Sequence, residues 1–204
     1  IKPRTNLKIR FGKNIPTDET ILLQYGGMKD IVEINLTHNI TNRFFFYTSP
    51  SYNRYHSSEG KYLGEGFYIY NELSYKLRVT YPDYTFRLYT MHGIYNEKSG
   101  YKGKIEELSA FPRPQVLSDS FNEIGVGFLF GWENYETYVR VWRPFLSLHT
   151  GFNDVTDVNY SVFAGIGGAL LGQDNLSINF SYIKSYKGST EEIKTLQIRY
   201  ILYF

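Results

Sequence analysis

The chain has 204 residues, enough for one domain with a sizeable core or for one closed barrel. Its 20 Tyr and 15 Phe stand beside no Cys and two Met; the net charge is +2 and the mean hydropathy is −0.35. No apolar run approaches the roughly 18 residues that a spanning helix needs, and so small a charge gives no bulk attraction for nucleic acid, so neither a helical membrane protein nor a nucleic-acid binder is expected.

In chain order, short segments of alternating polarity follow one another, and period two argues for strands. Leu7, Ile9 and Phe11 oppose Lys8 and Arg10, and less regular strands are expected at about 20–26 and 43–49. Val32, Ile34 and Leu36 oppose Glu33, Asn35 and Thr37. Leu73, Tyr75, Leu77 and Val79 stand against Glu72, Ser74, Lys76 and Arg78, then Phe86 and Leu88 against Arg87. Ile124, Val126, Phe128 and Phe130 oppose Glu123, Gly125 and Gly127; Trp142, Leu146 and Leu148 oppose Arg143, Ser147 and His149. Val162, Ala164 and Ile166 oppose Ser161, Gly165 and Gly167; Leu176, Ile178 and Phe180 oppose Ser177, Asn179 and Ser181. The last strand, TLQIRYILYF, sets Leu196, Ile198, Tyr200, Leu202 and Phe204 against Thr195, Gln197 and Arg199. These make eleven strands, and no helix is expected.

The pattern predicts an all-β, antiparallel transmembrane barrel of about 11–12 strands in a single domain spanning 1–204. A soluble barrel of ten or more strands has an interior too wide for side chains to fill, whereas strands of about ten residues with aromatic ends suit a hydrocarbon band. Counted back from Phe204, with the chain's end in the periplasm, 38–43, 81–84, 131–137 and 172–175 become periplasmic turns. The outer loops become 26–30, 49–62, about 96–118, 151–159 and 185–192, most of them longer, as bacterial barrels prefer. An odd strand number conflicts with the even count of such barrels, and Ile1-Lys2-Pro3 is an unnatural start; together they predict a chain that continues upstream as part of a larger barrel.

The expected lining of the lumen is Lys8, Arg10, Glu33, Glu72, Lys76, Arg78, Arg87, Glu123, Arg143, His149 and Arg199. Its charges are seven basic against three acidic, and an Arg on the lipid face would cost about 2–4 kcal/mol at the midplane. Two readings stay open: Arg–Glu pairs that satisfy one another and stiffen the wall, or a positive pore for anionic or hydroxylated solutes. The glycines on this parity leave room in the lumen or permit curvature. The fragment SAFPRPQVLSD can be an outer loop or an inward constriction. Ser147, His149 and Asn179 are the nearest approach to a hydrolytic set, but all three face the lumen, so no enzyme is expected. No zinc signature or phosphate loop is present, so neither a metal nor a cofactor is expected.

The succession SFNEIGVGFLFG, VRVWRPFLSLHTGFN and YSVFAGIGGALLGQDNLSINFSY, followed by the aromatic terminal strand, resembles the C-terminal outer-membrane barrel of Pel-type exopolysaccharide exporters. Trp142-Arg143-Pro144-Phe145, the run from Gly167 to Asp174 and Phe204 carry the likeness. It implies a bacterial outer-membrane location, surrounding outer-membrane lipid, a polysaccharide in the lumen, and periplasmic scaffold proteins, with tetratricopeptide repeats ahead of the barrel. It also implies a cationic, partly deacetylated polymer, which a net-positive lumen opposes unless Glu106, Glu107 and Asp119 offset the lining. A general or anion-preferring porin and a plugged, adhesive barrel are the alternatives.

Overall fold

A computed structural model describes residues 4–17, 19–109, 115–132, 140–186 and 189–202. Phe204, 110–114 of the Pro-containing fragment and 133–137 of the expected turn lie outside the described residues.

Among the described residues ten strands form one antiparallel sheet in sequence order: β1 Thr5–Pro16, β2 Gly27–Asn39, β3 Phe44–Ser57, β4 Tyr62–Arg78, β5 Tyr84–Glu97, β6 Phe121–Phe130, β7 Arg143–Asn153, β8 Asp157–Gly168, β9 Asp174–Tyr186 and β10 Ser189–Leu202. The strand expected at 20–26 is instead a helix, α1, over Ile21–Gly26. Ile21, Leu22 and Leu23 are consecutive, so they offer no two-residue alternation. Thr20 caps the helix, its hydroxyl accepting the Leu23 N–H at 3.2 Å. Removing that strand turns the expected eleven into ten, an even number.

One end of the sheet, the loop end, carries the connections 17–26, 58–61, 98–120, 154–156 and 187–188; the other is the turn end. The strands outrun the sequence expectation there. Residues 49–57, expected in a loop, continue β3, and the connection to β4 is only 58–61. Ser49, Ser51 and Asn53 alternate with Pro50, Tyr52 and Arg54, so polar groups occupy both faces and the hydrophobic alternation disappears. Only the first and third connections at the loop end are long. The segment 98–120 contains a short 3-10 helix, Lys104–Leu108.

The two faces of the sheet reverse the usual order. Leu7, Ile9, Ile34, Phe86, Leu88, Ile124, Val126, Ile178, Phe180, Leu196 and Ile198 are exposed on one face, while Ser49, Ser51, Asn53, Ser74, Thr85, Ser147, Ser177 and Asn179 are buried on the other. The apolar cluster of the interior is small and sits at the loop end. Leu23 of α1, Tyr55 of β3, Leu63 of β4, Ile105, Val116 and Leu117 pack together against the polar face.

Candidate functional site: the polar face of the sheet

Cross-strand register puts the expected residues in place. Lys8 and Arg10 lie opposite Asn35 and Glu33, and Glu33 lies opposite Ser51. Glu72 stands between Tyr47 and Tyr89, Lys76 opposite Thr85, and Arg87 between Ser74 and Gly127. Glu123 lies between Met91 and Asn153, His149 between Gly127 and Ser161, Arg143 opposite Gly167, and Arg199 opposite Ser177. Opposed residues share a face, so these ten stand on the polar one. Arg78 stands apart. A register shift after Lys76 sets it opposite Tyr84, whose ring stacks on Phe128 of the apolar face, and its guanidinium donates to the Tyr81 carbonyl at 3.4 Å.

The acids are enclosed by donors. Glu72 accepts the Tyr70 hydroxyl at 2.5 Å and the Ser74 hydroxyl. Arg87 Nε stands 3.3 Å from Glu72, close enough for an ion pair although its N–H is not aimed at the oxygen. Glu123, 5% exposed, accepts the Tyr89 hydroxyl and the Asn153 amide, each at 3.0 Å. Glu33 takes the Ser49 hydroxyl at 3.3 Å and lies 3.8 Å from Arg10. Bases and acids are also sorted along the strands. Lys76, Arg87, Arg143 and Arg199 lie toward the turn end, whereas Glu123 lies near the loop end and Glu33 and Glu72 lie between. A seven-to-three count of charges cannot show this separation, because it depends on strand direction.

Tyrosines, absent from the expected lining, make much of this wall. The Tyr47 and Tyr70 ring centroids are 5.9 Å apart, Tyr70 stacks on Tyr89 at 6.0 Å, and Tyr89 meets His149 edge-on at 6.0 Å. Glycines seat these rings. A Cβ at Gly125 would lie 2.4 Å from the Tyr89 ring, one at Gly127 2.2 Å from His149, and one at Gly165 2.5 Å from Phe145. Rings laid over strand glycines cover backbone that lacks a side chain. The glycines therefore make room for aromatic rings lying flat on the wall. The sequence signal was available in the pairing of each glycine with an aromatic residue nearby in the sheet, but it requires the register.

The motifs at 142–145 and 167–174 meet at the turn end. Trp142 Nε1 donates to the Ala169 carbonyl at 3.1 Å, and a Cβ at Gly168 would strike the Trp142 backbone at 2.7 Å. Asp174 Oδ1 accepts the N–H groups of Leu170, Leu171 and Gly172 at 2.9, 2.8 and 3.1 Å, while its Oδ2 accepts the Tyr200 hydroxyl at 2.9 Å. One carboxylate thus ties the turn to β10.

At the loop end, Thr20 donates its hydroxyl to the Val116 carbonyl at 2.9 Å, and Glu97 accepts the N–H groups of Val116 and Leu117 at 2.9 and 2.6 Å. Glu19, buried, accepts Lys29 Nζ at 2.7 Å and the Tyr55 hydroxyl. Of the Pro-containing fragment, Val116 and Leu117 are buried in this cluster.

Ser147, His149 and Asn179 share the polar face but form no relay: the His149 ring nitrogen meets Ser161 at 3.4 Å, and Asn179 stands opposite Gly165 and Gln197. Among the described residues, no group of three or more His, Asp or Glu is arranged to hold a metal ion.

Comparison with curated proteins finds no match, and comparison with solved structures finds none either. The family described as "PelB, C-terminal beta barrel domain" matches residues 1–203, nearly the whole sequence. The up-and-down antiparallel sheet, with polar side chains buried on one face and apolar ones exposed on the other, agrees with that description. The chain belongs to the PelB C-terminal β-barrel domain family.

Proposed function

We propose that this barrel spans the bacterial outer membrane as a conduit for polysaccharide, its apolar face against lipid and its polar face toward the polymer. The carrying observation is the reversal of faces: exposed aliphatic and aromatic side chains run along the strands on one side, and Glu33, Glu72, Arg87 and Glu123 stand with buried hydroxyls and amides on the other. The shortest strand has 10 residues and the longest 17, enough to cross a hydrocarbon core that takes about 9–11 tilted residues. Membership of an exporter's barrel family makes polysaccharide the first cargo to test. Periplasmic scaffold proteins would then meet the turn end.

β1 and β10 stand at the two edges of the sheet, and a lipid-embedded edge leaves backbone groups unsatisfied. The two edge strands run in opposite directions. Closure therefore comes from their direct pairing or from an even number of further strands, the larger barrel among them. A plugged barrel is the second reading, favoured by the Leu23–Leu117 cluster against the polar face.

Planar-bilayer recording of the refolded chain tests the conduit. Discrete current steps, larger in Leu23→Ala than in the parent, are expected. Electrically silent membranes containing correctly folded parent and variant would contradict it.

A further inference from the structure

At the turn half of the polar face lies a cavity of about 640 Å³, within the roughly 300–1,000 Å³ of small-molecule sites. Tyr47, Tyr70 and Trp132 supply ring surface to it. Trp132 belongs to the β6–β7 connection, yet it reaches inward: its ring lies 5.5 Å from Phe163 of β8, and its backbone N–H donates to Asp83 Oδ2 at 3.1 Å. Asp83 is 2% exposed, and its Oδ1 has no hydrogen-bond partner among the described residues. A buried carboxylate oxygen left in this state is costly, and a ligand donor satisfies it. The charged groups lining the cavity are Glu72 and Asp83 against Lys76 and Arg87, two of each sign.

Flat aromatic faces complement the C–H faces of a pyranose ring, and paired acids and bases complement hydroxyls, which both donate and accept. We infer that this cavity is a subsite for a chain of neutral pyranose rings, one ring against Trp132 with a hydroxyl donating to Asp83 Oδ1 and another stacked on Tyr70. The inference rests on the conduit reading and refines it. Recognition through rings and a charge-balanced polar set is insensitive to the net charge of the chain being passed, unlike a basic lumen.

Saturation-transfer NMR of the refolded chain in detergent, with cellohexaose as the probe, tests the subsite without requiring conduction. Transfer to the sugar ring protons is expected, with affinity lowered about tenfold in Trp132→Ala and in Tyr70→Leu. The apolar-face control Tyr52→Leu should bind as the parent does. Affinity should change less than about twofold between roughly 50 and 500 mM salt, because no net charge is neutralised. If Tyr70→Leu fails to show the heat-modifiable band of a folded barrel, Trp132→Ala, which lies outside the strands, decides alone. Absence of transfer to the folded parent, or parent-like binding in Trp132→Ala, overturns the subsite. Conductance without sugar binding removes this inference alone, whereas binding without conductance removes the conduit and leaves the subsite.

Discussion

His149 Cδ2 lies 2.2 Å from where a Cβ at Gly127 would stand, so any side chain there displaces the ring from the wall. Overpacking of this kind costs about 1–3 kcal/mol. Gly127→Val is expected to lower the urea midpoint of the refolded barrel, and Gly127→Val/His149→Ala to recover most of the loss. Asp174 sets a different constraint, since its carboxylate collects the turn amides and the Tyr200 hydroxyl. Asp174→Ala should reduce refolding yield more than Asp174→Asn, which keeps one acceptor oxygen; equal yields would remove the carboxylate from this role. At the loop end, Asp154 accepts the Asn122 backbone N–H at 2.7 Å and its side-chain amide at 2.6 Å, and the backbone bond leads in holding its pKa below the ordinary value. A lowered folded pKa contributes stability above the unfolded value, about pH 4, and loses it as pH falls through the folded one. Asp154→Asn should therefore lower stability at neutral pH, flatten the acid limb below about pH 4, and match the parent once pH falls below the folded pKa. The alternation of Glu72, Lys76 and Arg87 was legible from sequence because parity needs only counting. The roles of Gly127 and Asp174 depend on what lies across the sheet.

The segment 20–26 shows where element assignment from sequence ran out. Its apolar residues suit either a buried strand or a short helix, and the Thr20 cap together with packing on Val116 and Leu117 decides for the helix. Leu23 is fully buried in that cluster, and truncation of such a side chain costs about 2–5 kcal/mol. Because four of the six cluster residues lie in connections and the other two at the loop end of β3 and β4, Leu23→Ala should loosen the loop end first. Limited proteolysis should cut within 98–120 faster in the variant while the strands stay protected. A uniform loss of protection would mean that α1 supports the whole sheet. Sequence alternation shortens the β3–β4 hairpin for a related reason. Beyond the apolar band both strand faces are polar, as at Ser51, Tyr52, Asn53 and Arg54, and alternation has nothing to alternate between.

For the molecule as a whole, the class of fold was legible because the apolar face of every strand must meet one solvent and the polar face another. The distribution of charge was not legible, since strand direction sorts Arg87, Arg143 and Arg199 toward one end and Glu123 toward the other. The absence of cysteine from the sequence allows single thiols to be placed without background. Spin labels at Val126, Ile178 and Ile198 on the exposed face, and at Ser147, Ser177 and Gln197 on the polar face, would report which solvent each meets in a reconstituted bilayer. Preferential collision with oxygen at the first three and with a water-soluble nickel chelate at the second three is the predicted result. The opposite pattern, or no difference between the sets, would contradict a membrane barrel whose polar face lines the lumen.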